Sequence, residues 1–132
     1  MFSRKKQPPI KSLIAEGTKI EGDVQFAEGM RIDGEVVGDI RAGTDQPSIV
    51  VISETARVEG AVHGDHVIVN GQVIGPVHAK ELLELQPKAR ITGNVHYKAL
   101  EMHQGAMIAG QMCPAAQLVE EKPPLKLASN GQ

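Results

Sequence analysis

The chain has 132 residues, a formal net charge of −2 and 41% hydrophobic residues, of which almost none are aromatic (2% overall, no Trp). The length allows one domain with tails. The single cysteine, Cys113, excludes an intrachain disulfide and fits a reducing compartment such as the cytoplasm. No apolar run approaches the ~20 residues that span a bilayer, and no apolar segment of signal-peptide type follows the basic start.

The average charge hides an asymmetry. Residues 1–16 carry Arg4, Lys5, Lys6 and Lys11 against Glu16 alone, whereas residues 17–113 carry 13 acids and 8 bases. A basic arm on an acidic body points to a charged partner for the arm. Pro8 and Pro9 keep that arm extended and out of helix. The apolar set Ile10, Leu13 and Ile14 follows, as a first strand or a cap on the first layer.

From Gly17 to about Cys113 a repeat dominates: aliphatic, any, Gly, any, aliphatic. It occurs as Ile20–Val24, Ile32–Val36, Val58–Val62, Val69–Val73, Ile91–Val95 and Ile108–Met112. Apolar and polar residues alternate within each copy, the period of a strand with one buried face. Glycines break each run, so the strands are short and turn often. The stretch Ala79–Leu85 lies between Pro76 and Pro87 and reads as a strand through Leu83 and Leu85. With so few aromatics, the core is built from Val, Ile, Leu, Met and Ala in thin layers.

Spacing carries more information than composition. The glycines at 22, 34, 60, 71, 93 and 110 are separated by 12, 26, 11, 22 and 17 residues, near multiples of about 5.5. Three faces per turn give a coil of about 17 residues. The expected fold is therefore all-β: a three-sided parallel β-helix of about five to six coils over residues 17–113. Left-handed hexapeptide helices keep a strict period of six, which these separations lack, so the looser coil favours a right-handed helix. Stacked at ~4.8 Å per strand, it makes a rod of roughly 25–30 Å. Thr44-Asp45-Gln46-Pro47 reads as a loop between coils, before a strand resumes at Ser48–Ile52. Residues 114–132, with Pro114, Pro123 and Pro124, read as a disordered tail.

The ordered set of aliphatic-x-Gly-x-aliphatic copies resembles the bactofilins, the bacterial polymer-forming cytoskeletal family. The stretch Glu16–Val24 looks like the start of their domain, and Met1-Phe2-Ser3-Arg4-Lys5-Lys6 looks like the membrane-targeting peptide of many members. The resemblance implies a right-handed β-helix that assembles without nucleotide into non-polar filaments. It also implies a scaffold role in cell shape and envelope assembly. The family's habit of an aromatic residue near the last coil has no match here, where Met107, Ile108 and Met112 stand instead.

A β-helix leaves unpaired strand edges at both ends, which invite pairing with another chain. The expected junction residues are Ile20, Val24, Phe26 and Ile32 in the first coil, and Leu100, Met102, Ile108 and Met112 in the last. Stacking head to head and tail to tail would extend the same ladder. In the arm, Phe2 inserts at the lipid interface while Arg4, Lys5 and Lys6 meet anionic headgroups, each worth about 1 kcal/mol. Many arms on one polymer then bind together. The partners expected are the chain itself, the anionic inner membrane, and cell-wall synthesis or remodelling proteins. The place is the cytoplasm, peripheral on the inner membrane face.

His63, His78 and His96 each follow a valine and point outward on alternation, as a solvent-facing column. No Cys pair or acidic cluster stands with them at ligand spacing, and Cys113 reads as an incidental thiol. No GxGxxG or P-loop pattern precedes a helix, so no nucleotide is expected. The acidic body without aromatic platforms argues against nucleic acid. No catalytic, cofactor or metal site is expected. A hexapeptide-type acyltransferase is the alternative from another class, and a non-polymerising β-helical adaptor is the third reading.

Overall fold

A computed structural model describes residues 8–43 and 46–115. Every element among them is a strand, and the strands pair in parallel. The path starts on β1 (Ser12–Ile14) and then winds through about six turns. Turn one holds β2 (Lys19–Glu21), β3 (Val24–Phe26) and β4 (Gly29–Ile32); turn two holds β5 (Glu35–Val37), β6 (Ile40–Ala42) and β7 (Ile49–Ile52). In turns three to five the last two faces run together as one bent strand. These turns are β8 (Arg57–Glu59) with β9 (Val62–Val69), β10 (Gln72–Ile74) with β11 (Val77–Leu85), and β12 (Arg90–Thr92) with β13 (Val95–Met102). Turn six begins with β14 (Met107–Ala109) and β15 (Met112–Pro114).

Three stacked faces result, as the coil length implied. Face one runs β2, β5, β8, β10, β12, β14. Face two runs β3, β6, the first halves of β9, β11 and β13, then β15. Face three runs β1, β4, β7 and the second halves of β9, β11 and β13. The stretch Ala79–Leu85 is strand throughout, inside β11.

Register turns the sequence repeat into core columns. Ile20, Val36, Val58, Val73, Ile91 and Ile108 stack on face one. Val24, Ile40, Val62, Val77, Val95 and Met112 stack on face two. Ile14, Ile32, Ile52, Val69, Leu85 and Met102 stack on face three. The interior members are buried, most of them completely. Each contributes roughly 1.5–3 kcal/mol of burial, and no single turn buries its face alone.

One corner sets the pitch. Gly22, Gly38, Gly60, Gly75, Gly93 and Gly110 stand between faces one and two, one per turn, separated by 16, 22, 15, 18 and 17 residues. Gly60 has φ +150°, and a Cβ there would lie 2.1 Å from the Gly38 carbonyl oxygen. A Cβ on Gly75 would lie 2.3 Å from the Gly60 oxygen. The backbone therefore approaches itself where only glycine fits. The next residue locks the neighbouring turn: Asp39 Oδ1 accepts from the Ala61 amide and Asn94 Oδ1 from the Gln111 amide, each at 2.9 Å. Where Ala61 offers no acceptor, the residue one turn on is Pro76, which has no N–H.

Two sequence expectations change here. Gly34 and Gly71 belong to a different corner, between faces three and one, where short corners alternate with closed turns such as Thr18 N to Ala15 O at 3.0 Å and Ala56 N to Ser53 O at 2.9 Å. The separations of 12, 26, 11 and 22 thus mixed two corners, while their average kept the true coil length. The loop expected between coils lies within turn two, between β6 and β7, and accounts for the 22-residue spacing from Gly38 to Gly60.

Gly60→Ala should lower stability by about 2–4 kcal/mol, because positive φ and a backbone clash combine. Gly22→Ala, which meets nothing within 4 Å, carries only the φ penalty. Thermal melting of both variants checks this: equal losses would mean that the backbone contact does not limit the pitch.

Candidate functional site

Among the described residues, each core column ends in a residue with a neighbouring turn on one side only, and of these ends Ile14 is buried. At the C-terminal end, Ile108 is half-buried and Met112 is 44% exposed, although the residues stacked beneath them, Ile91 and Val95, are buried. On face three Met102 is 46% exposed above a fully buried Leu85, and Leu100 is half-buried above Leu83. At the N-terminal end, Ile20 and Val24 are half-buried at the start of their columns.

The other two expected junction residues are buried within the subunit. Ile32 is fully buried between β1 and β7, because β1 adds a strand outside β4 on face three. Phe26 is buried in the core cluster. Three exposed apolar residues were missed as junction candidates: Ile10, Leu13 and Met107, the last two 59% and 58% exposed. Alternation marked Leu13 in β1 and Met107 in β14 as outward, but nothing in the sequence told that they lie in the end strands. Met1, Phe2, Ser3, Arg4, Lys5 and Lys6 lie outside the described residues.

The outward positions of face two form a second feature. The imidazole rings of His63, His78 and His96 stack with centroids 4.5 Å apart at each step and are parallel to within 6°. Strand register brings Arg41 beneath His63 and Cys113 above His96. Burial lowers the pKa of His63 below 6.5, with nearby Arg41 adding to it and Asp39 opposing. Burial also lowers that of His78, with the charges of His63 and His96 adding to it. His63 and His78 are thus held neutral at neutral pH. Asp39 is held below the usual carboxylate range by the Ala61 amide, and Arg41 also favours its charged form.

On face three, Glu84, Glu101 and His103 bring ligand atoms within 4.8 Å of one another. His103 Nε2 lies 3.3 Å from Glu84 Oε2, and Gln86 donates to that same oxygen. The sequence search for ligands centred on the histidine column and passed over this group. Glu84 is a whole turn away from Glu101 and His103 in the chain, and only its pairing with Glu101 joins them.

No helix among the described residues is long and apolar enough to cross a membrane. The family model for bactofilins, described as polymer-forming cytoskeletal, matches residues 12–113. The chain belongs to the bactofilin family. The match begins at β1, which makes that strand part of the domain. No curated protein and no solved structure matches the chain. A polymer-forming cytoskeletal family favours a structural role over an acyltransferase.

The histidines make stability depend on pH. Their folded pKa values lie below the unfolded value, so the unfolded chain binds more protons and stability falls as pH drops below about 6.5. The melting temperature should fall between pH 7.5 and 5.5, and less so in the His63→Gln/His78→Gln variant. Asp33 and Asp39, also lowered, act only further into the acid range. An unchanged pH slope in the double variant would exclude the column as its source.

Proposed function

We propose that this bactofilin is a scaffold that assembles without nucleotide into non-polar filaments and gathers cell-wall proteins on the inner face of the cytoplasmic membrane. The observation that carries the reading is the contrast between buried columns and exposed column ends. Met112 and Met102 occupy the same inward positions as buried Val95 and Leu85, and differ in having no turn stacked on them among the described residues. A second subunit supplies that turn. Strand edges at both ends supply unpaired backbone N–H and C=O groups to the same contact. No nucleotide need drive the step, since apolar burial and ladder extension both favour it.

Like ends meeting like ends give a two-fold junction at each contact, and alternate junctions give a filament without polarity. The basic arm then meets anionic lipid many times along one polymer, so that weak single contacts add to firm adhesion.

The exposed methionines make the test clean, because they are not core residues. Met102→Glu/Met112→Glu should raise the concentration needed for filaments at least tenfold, about 1.4 kcal/mol, while leaving the melt of the subunit nearly unchanged. Electron microscopy and sedimentation read the first, circular dichroism the second. Wild-type protein that stays as single rods at high concentration would refute the polymer reading. Deleting residues 1–6 should release filaments from phosphatidylglycerol vesicles in a co-sedimentation assay; full retention would show that the arm is not the anchor.

A further inference from the structure

The solenoid departs most from its regular coil in turn two, where the segment between β6 and β7 lengthens the spacing to 22 residues. In repeat folds such insertions gather on one face, and that face is often the binding face. The Ser48 end of this segment is tied to the neighbouring turn. Ser48, 2% exposed, donates its amide to Asp65 Oδ2, and its Oγ accepts from the Asp65 amide, both at 3.0 Å. Gln46, Pro47 and Ser48 form one wall of a groove of about 650 Å³ on face two. The residues Arg41, His63, His78 and Lys80 line it, with Gly64 leaving space between them.

We propose that this groove docks a short, extended, acidic peptide segment of a client protein. The charge of the groove is opposite to that of the body around it, in which acids outnumber bases 13 to 8. Lys80 makes no ion pair among the described residues, and the rings of His63 and His78 have no hydrogen-bond partner there beyond their mutual stacking. Arg41 gives one nitrogen to Asp39 at 3.1 Å and retains further donors. Asp65 is the acid of the groove, and its carboxylate is already engaged by the Ser48 amide. Gln25, Arg41, His63 and His78 occupy four successive rungs in register. At ~4.8 Å per rung they span about 14 Å, the length of roughly four extended residues. A short acidic segment fits that patch, whereas a long polyanion or a flat lipid surface would meet the acidic rod on either side.

The histidines tie docking to pH. His78 faces His63 on β9 and His96 on β13; Arg41 and Asp39 stand on the β6 side, and Asp65 and Lys80 line the same groove. A bound carboxylate favours the protonated rings, so acid tightens binding.

The groove starts at the first rung of face two, at Gln25, and lies away from the C-terminal end that carries Met102 and Met112. The inference takes from the scaffold reading only that the peptide belongs to a client. Binding of a fluorescein-labelled octaglutamate peptide, followed by anisotropy at low salt, tests it on full-length wild type and on the Met102→Glu/Met112→Glu variant. Loss of filaments and loss of binding are thus read separately. Binding should be at least tenfold tighter at pH 6 than at pH 8, and equal in the two proteins. Lys80→Glu should weaken it at least tenfold, while Lys19→Glu on face one changes it less than twofold. His78→Gln should reduce the pH dependence even if Lys80→Glu lowers stability. The proposal is overturned if octaglutamate does not bind at pH 6, or if Lys19→Glu weakens it as much as Lys80→Glu. It is equally overturned if phosphatidylglycerol vesicles or an oligothymidylate bind through Lys80 as tightly as the peptide does.

Discussion

The structure depends on a close backbone contact at one corner of the solenoid. There each glycine from turn two onward stands so near the carbonyl of the glycine before it that a Cβ would fall 2.0–2.4 Å from that oxygen. Successive turns must therefore stack at strand spacing and in strict register. The core columns follow from that register, since a slip of one residue would turn every inward valine outward. Asp39 and Asn94, beside the corner, bond the amide of the next turn and reinforce the same alignment.

Alignment of this kind has no internal end point. A closed barrel satisfies its own edges, but a stack stops only where the chain stops. The charged outer faces give side-to-side contact little to use. Arg57, for example, is engaged by Glu59 and Gln72 and lies 3.8 Å from Glu35, all on face one. The ends differ: Met102 and Met112 are open there, with Met107 beside them. Apolar surface and the strand edges of the described stack coincide at these places.

Regularity also makes the exceptions informative. The segment between β6 and β7 widens one turn, and β11 carries a register shift between Ala79 and Leu82. Both irregularities fall beside the histidine column and Lys80. A repeat built only for stacking needs neither. The column itself is a product of stacking: three residues with no special neighbours in the chain become parallel rings 4.5 Å apart. The depressed pKa values of His63 and His78 arise from burial first and then from neighbouring charges.

Much was legible in the residues alone. Alternation within Val58–Val62 or Ile91–Val95 marks an inward side, and recurring glycines mark corners, because both are local requirements of short strands. Mean coil length, the three faces, the strand at Ala79–Leu85 and the outward histidines follow from those local rules. The assignment of each glycine to its corner does not. Gly34 and Gly38 look alike in sequence, and only the backbone that packs against each separates them. Ile32 and Met102 likewise carry the same inward pattern. One is sealed by β1 and the other left open, because burial depends on which turn lies next to a residue. Local sequence thus determined the turn of the solenoid and its periodic core. Tertiary stacking decided which residues end the columns, which acids meet His103, and where a groove opens, since each joins residues a full turn or more apart.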